Sequence, residues 1–166
     1  MQRPLLVIFL GALCGAACTQ DDGMPFGPVG DAELDRLAIF SKAAGFDLKP
    51  EMERVYKKDE AALGRLFKLS LSFKTLDGKS RAYGQVVYSS LLNLGETIGV
   101  EAYAKVLDRQ PPEVKQRVRD FLYYPILRIP KEHQKEADEE TRQAYPTLFP
   151  TGYEFGRDNP IFAEGK

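Results

Sequence analysis

Leu69-Ser70-Leu71-Ser72-Phe73-Lys74-Thr75-Leu76-Asp77-Gly78 is the stretch on which the fold class turns. From Leu69 to Lys74, apolar and polar residues alternate, which is the period of a half-buried strand, and Asp77-Gly78 is a favoured hairpin turn. The opposing arm decides against that reading. Arg81 to Tyr88 alternates poorly and carries Gly84, which weakens a strand interior. The preceding residues, Val55, Asp59, Ala62, Leu63, Leu66, Phe67, Ser70 and Leu71, recur on one face of a helix, with Lys57, Lys58, Glu60, Arg65 and Lys68 largely on the other. The expectation is therefore one helix from Pro50 to about Phe73, a helix-to-helix turn at Asp77-Gly78, and an all-α fold. A two-stranded hairpin near Asp77-Gly78 is the alternative.

The rest of the chain repeats the helical pattern in both directions. Upstream, Asp31 is placed to cap a helix carrying Leu34, Leu37, Ala38 and Ile39 or Phe40 at helical spacing, and Gly45 is placed to end it. Downstream, Ser80 opens a helix with the stripe Tyr83, Val86, Val87, Ser90, Leu91 and Leu94, stopped by Gly95. Val100, Tyr103, Ala104 and Leu107 form a shorter one. Pro111-Pro112-Glu113 starts another, with Val114, Val118, Phe121 and Leu122 inward and Lys115, Arg117 and Arg119 mostly outward. Lys131 to Arg142 is helix-forming but polar on almost every side, and Lys135 and Glu139 are spaced to pair. The spacing thus predicts a compact bundle of five to six short helices over residues 31–142.

From residue 143 the chain changes character. Pro146, Pro150 and Pro160 forbid a continuous helix. Leu148, Phe149, Tyr153, Phe155, Ile161 and Phe162 are too apolar for a disordered tail. Residues 143–166 are expected to be an irregular aromatic segment packed on the helical domain.

The N-terminus reads as an address. Arg3 precedes an apolar run from Leu5 to Leu13 and then small residues up to Cys18, the order of charge, apolar core and cleavage region in a secretory signal. The run is too short to span a bilayer, which takes about 20 such residues. Gly15-Ala16-Ala17-Cys18 resembles the lipobox of bacterial lipoproteins; Gly15 departs from the larger aliphatic residue usual at its position. The resemblance covers residues 1–18 only. It implies removal of residues 1–17, acylation of Cys18 (palmitate among the chains) and attachment to a membrane, the outer membrane facing the periplasm by default because Thr19 follows the cysteine. Cys14, preceded by Leu13, fits the pattern less well. Ordinary cleavage near Ala16 or Ala17, giving an unlipidated periplasmic or secreted product, is the alternative. Residues 19–30, rich in Gly, Pro and Asp, read with Cys18 as a flexible tether over 18–30, spanning about 20 Å as a coil.

Composition narrows the chemistry. Cys14 and Cys18 are the only cysteines, so a body starting beyond them has neither a disulfide nor a cysteine nucleophile. Removing residues 1–17 takes away Arg3 and no acid, leaving 22 cations against 24 acids. That balance argues against a nucleic-acid partner. His133 is the only histidine and lies in a charged run, which leaves no triad and no metal site to predict. Asp77, Glu96 and Glu101 fall near helix ends and are the candidates for carboxylate chemistry; their simpler roles are turn formation and favourable charge in a first helical turn. No phosphate loop, dinucleotide fingerprint or calcium loop occurs, and no cofactor is predicted.

Basic residues cluster at 61–83 (Arg65, Lys68, Lys74, Lys79, Arg81) and at 103–128 (Lys105, Arg109, Lys115, Arg117, Arg119, Arg128). Shared on one face they would suit anionic lipid or an acidic envelope polymer; balanced by the acids of 31–60 they would be solvated surface. The reading that follows is an exported, membrane-anchored protein of the cell envelope with a non-catalytic binding or structural role. The alternative is a small periplasmic carboxylate-dependent hydrolase, with Glu96 or Glu101 as its first candidates.

Overall fold

The structure, a computed structural model, describes residues 31–97 and 99–165. The expected signal, Cys14, Cys18 and the expected tether lie outside the described residues. Those described are all-helical, without strands, in seven α-helices: α1 Asp31–Ala43, α2 Leu48–Tyr56, α3 Glu60–Leu69, α4 Gly78–Thr97, α5 Val100–Asp108, α6 Pro112–Tyr123 and α7 Lys131–Ala144. Short 3-10 turns follow α3 at Ser70–Ser72 and α6 at Tyr124–Arg128, and a third spans Pro160–Gly165.

The count exceeds the expected five to six because the single helix expected from Pro50 to Phe73 is two. Lys58 takes a positive φ of 67°, which no helix interior accommodates. The Asp59 carboxylate then accepts from the Ala61 and Ala62 amides at 2.9 and 3.1 Å, restarting the chain as α3. Asp59, assigned by periodicity to the inward face, is instead a cap.

The alternating stretch is no strand: Leu69 ends α3, Ser70–Ser72 form a 3-10 turn and Phe73 is extended. Ser70 is buried and Leu71 is 40% exposed, the reverse of strand alternation; the buried Ser70 keeps to the helical stripe and only Leu71 departs from it. Asp77, rather than Ser80, caps α4: its Oδ1 accepts from the Ser80 amide at 2.9 Å. The Ser80 hydroxyl lies within bonding range of the Thr75 carbonyl and of Asp77. These bonds hold the Asp77 carboxyl below its ordinary range, the Ser80 amide contributing most. Downstream, α4 runs through Gly95 to Thr97, and the break falls at Gly99, with φ 89°.

Helix α4 is the axis of the fold and touches α1, α2, α5 and α6. Tyr83, Val86 and Val87 on α4 are wholly buried with Leu37, Leu48, Val55, Leu66, Phe67, Tyr103, Leu107, Val114 and Val118. Buried tyrosines need partners for their hydroxyls. The Tyr83 hydroxyl lies 3.3 Å from the Leu66 and Phe67 carbonyls, and that of Tyr103 donates to Val87 O at 3.4 Å. Burial pushes both phenols well above their ordinary value. At Gly84 a Cβ would stand 2.9 Å from Phe121 Cδ1, so the missing side chain lets α6 approach α4.

Candidate functional site

Helix α6 places one carboxylate, Asp120, fully inside the protein. Its Oδ1 accepts from the Tyr153 hydroxyl at 2.8 Å, the Gly156 amide at 3.0 Å and Gln116 Nε2 at 2.9 Å. Its Oδ2 accepts from Asn159 Nδ2 at 2.7 Å. Three of the four donors belong to the irregular C-terminal segment. Gln116 ties that segment again through Glu154 O at 2.8 Å, and Asn159 Oδ1 accepts from the Ile161 amide at 3.1 Å. Burial raises the Asp120 carboxyl above its ordinary range, and the four donors, Asn159 foremost, only partly offset this.

A second cluster lies beside it. The Tyr123 hydroxyl donates to Asp138 at 2.7 Å, and Arg142 Nε to the same oxygen at 2.6 Å. The Arg142 guanidinium sits over the rings of Tyr123 and Tyr153, 5.7 and 5.5 Å from their centroids, and Nη1 reaches the Tyr153 carbonyl at 3.3 Å. Burial, with the Asp138 charge, pushes the Tyr123 phenol up to about 12. Around both clusters Leu148, Phe149, Tyr153 and Ile161 are buried, and Tyr123 meets Phe149, Tyr153 and Phe155 edge-on or tilted at 5.6–5.8 Å between ring centroids.

The arginines of α6 turn inward, contrary to their expected outward position. Arg117 Nη1 donates to the carbonyls of Ser70 and Phe73 at 2.9 and 2.6 Å, closing the end of α3. Arg119 donates to Leu148 O at 2.7 Å and to Asp108 at 2.7 Å. Each draws a neighbouring chain segment to α6 because a guanidinium offers several donors in a fixed fork. The basic clusters are further broken by pairs with acids of residues 31–60: Arg65 with Glu51 at 2.7 Å and Arg109 with Glu60 at 3.1 Å.

Of the predicted carboxylates, Asp77 and Glu101 lie at opposite ends of α4. Asp77 caps α4, Glu101 is exposed in the first turn of α5, and the Glu96 side chain lies outside the described residues. His133 is exposed on α7, where Lys135 and Glu139 stand 3.9 Å apart. Among the described residues, no group of three or more His, Cys, Asp or Glu is placed to hold a metal ion. No described helix is long and apolar enough to cross a membrane.

Sequence reasoning missed Asp120 as the centre of a site. In the sequence it is one acid among 24. The only available signal was its helical register: it falls between Val118 and Phe121-Leu122, on the inward half of α6.

Compared with known proteins, the chain matches no family model, no curated protein and no solved structure.

Proposed function

We propose that the chain is an exported lipoprotein of the cell envelope, held to a membrane by lipid on Cys18, whose helical body binds or braces another envelope component without catalysing a reaction. The observation that carries the non-catalytic reading is the use of Asp120. It is the described carboxylate whose surroundings most resemble those of a catalytic acid, being buried with a raised pKa. Yet both its oxygens are occupied by donors of the protein itself, and it has no exposed surface. Its bonds hold chain to chain. Glu101, a first candidate of the hydrolase reading, stands in solvent at a helix start, where a first-turn acid favours the helix dipole.

The anchor reading rests on Gly15-Ala16-Ala17-Cys18 after the apolar run. More than one acyl chain gives durable attachment, at roughly 0.8 kcal/mol per buried methylene. Intact-mass analysis of the mature protein, with membrane fractionation, tests it. Acylated Cys18 in the membrane fraction, and a soluble product from C18A, are the expected results. A soluble wild-type product with a free thiol would sink the anchor.

A further inference from the structure

Helix α1 carries an outward stripe that neither the fold nor the Asp120 site uses. Ile39 is 73% exposed, the most exposed large apolar side chain among the described residues. Arg36 and Lys42, one helical step to either side, are also exposed and make no ion pair with a described side chain. At 3.6 residues per turn, these three positions occupy a sector of about 120° with Ile39 at its centre. Ala32 and Ala43 fall in the same sector and are exposed and small. Asp35, an acid, also falls in this sector, where Lys49 pairs with it at 2.7 Å. The opposite side of α1 is spent on the core through Leu37, which is fully buried.

We infer that the Arg36–Ile39–Lys42 stripe of α1 docks on an anionic phospholipid surface, laying the body against the membrane that holds its anchor. The inference rests on the lipid-anchor reading. Two observations choose the bilayer as the occupant. An apolar residue between two cations is the pattern of an interfacial helix, with the chain apolar inward and the charges at phosphate level. The helix also begins at Asp31, the first residue after the proposed tether, and twelve residues of coil reach about 20 Å. Two cations and one isoleucine bind weakly alone. A short tether supplies the missing concentration, in the millimolar range, so a weak surface becomes an occupied one.

The chain contains no tryptophan, so I39W places a single reporter at the centre of the stripe. The mature I39W protein, as processed by the cell, is reconstituted into vesicles of phosphatidylglycerol with phosphatidylethanolamine, and into pure phosphatidylcholine. Docking predicts blue-shifted indole emission and quenching by brominated lipid in the anionic vesicles only. Added salt weakens the effect, and R36Q/K42Q in the same background reduces the docked-to-undocked ratio roughly tenfold or more. Protein that floats with the vesicles while its indole stays water-exposed overturns docking and leaves the anchor standing. Protein recovered without lipid overturns both. A blue shift that grows with protein concentration in the absence of vesicles would assign the stripe to a second copy of the chain and overturn the bilayer as occupant.

Discussion

The aliphatic and aromatic core around α4 and the C-terminal segment on α6 share apolar burial, but the segment is held in addition by a hub of buried hydrogen bonds. Around α4, Leu66, Phe67, Tyr83, Val86, Tyr103 and Leu107 are each in contact with solvent over almost none of their surface. The loss of any one leaves many other contacts in place. On α6, a largely irregular segment adds to its buried Leu148, Phe149, Tyr153 and Ile161 the bonds it makes to Asp120, Gln116, Arg119 and Arg142. Apolar burial is distributed and tolerant, whereas a buried hydrogen-bond hub is concentrated and brittle. The two regions should therefore respond differently to single changes.

The largest effect is expected at the hub. In D120N the new amide nitrogen must face a donor, Asn159 or the Gln116–Tyr153–Gly156 group, where the carboxylate accepted from all four. A buried mismatch of this kind costs about 3 kcal/mol, measurable as a lower midpoint in urea unfolding. A change below about 0.5 kcal/mol would contradict the role given to Asp120. Next comes the contact between the regions: G84A sets a methyl group against Phe121, which packs edge-on against Tyr83 at 5.0 Å. Overpacking of about 1–3 kcal/mol outweighs the gain in helix propensity of about 1 kcal/mol, so calorimetry should record net destabilisation. The break at Lys57–Asp59 is milder. D59A removes the cap of α3 and should lower stability by about 1 kcal/mol in the same assay.

The two perturbed carboxylates give a comparison by sign. Asp120 has a raised folded-state pKa, so the proton-linked part of its contribution is fully present below the ordinary aspartate pKa and is lost as pH rises through the raised value. Asp77 has a lowered pKa, so its contribution is present above the ordinary value and fades as pH falls through the lowered one. Between neutral pH and the ordinary aspartate range, acidification should widen the stability gap between wild type and D120N. Acidification below that range should shrink the gap between wild type and D77N. Gaps that move together in both cases would contradict the environments described for these groups.

Legibility in the sequence followed the same division. The stripes that build the core, such as Tyr83-Val86-Val87 and Val114-Val118-Phe121-Leu122, repeat at helical spacing and are visible as such. The fold class followed from them, and so did the decision against a hairpin at Asp77-Gly78. The break at Lys58 was not visible, because a positive φ on a lysine is imposed by packing and by the Asp59 cap rather than by any local preference of lysine. The Asp120 hub was hidden for another reason: three of its four partners lie 33 to 39 residues away in an aperiodic segment, and periodicity carries no information about contacts of that range. Arg117 and Arg119 read as solvated because charge usually is; only the carbonyls of Ser70, Phe73 and Leu148 explain their inward turn.

Native-state hydrogen exchange on the full chain, wild type against D120N, tests the division most directly. The account predicts that D120N lowers protection of the Gly156, Asn159 and Ile161 amides far more than that of Tyr83 to Val87 in α4, since the segment can open while the apolar core stays closed. An equal loss of protection in both regions would show that the segment is held by the general cooperativity of the fold, and would contradict a latch built on one buried carboxylate.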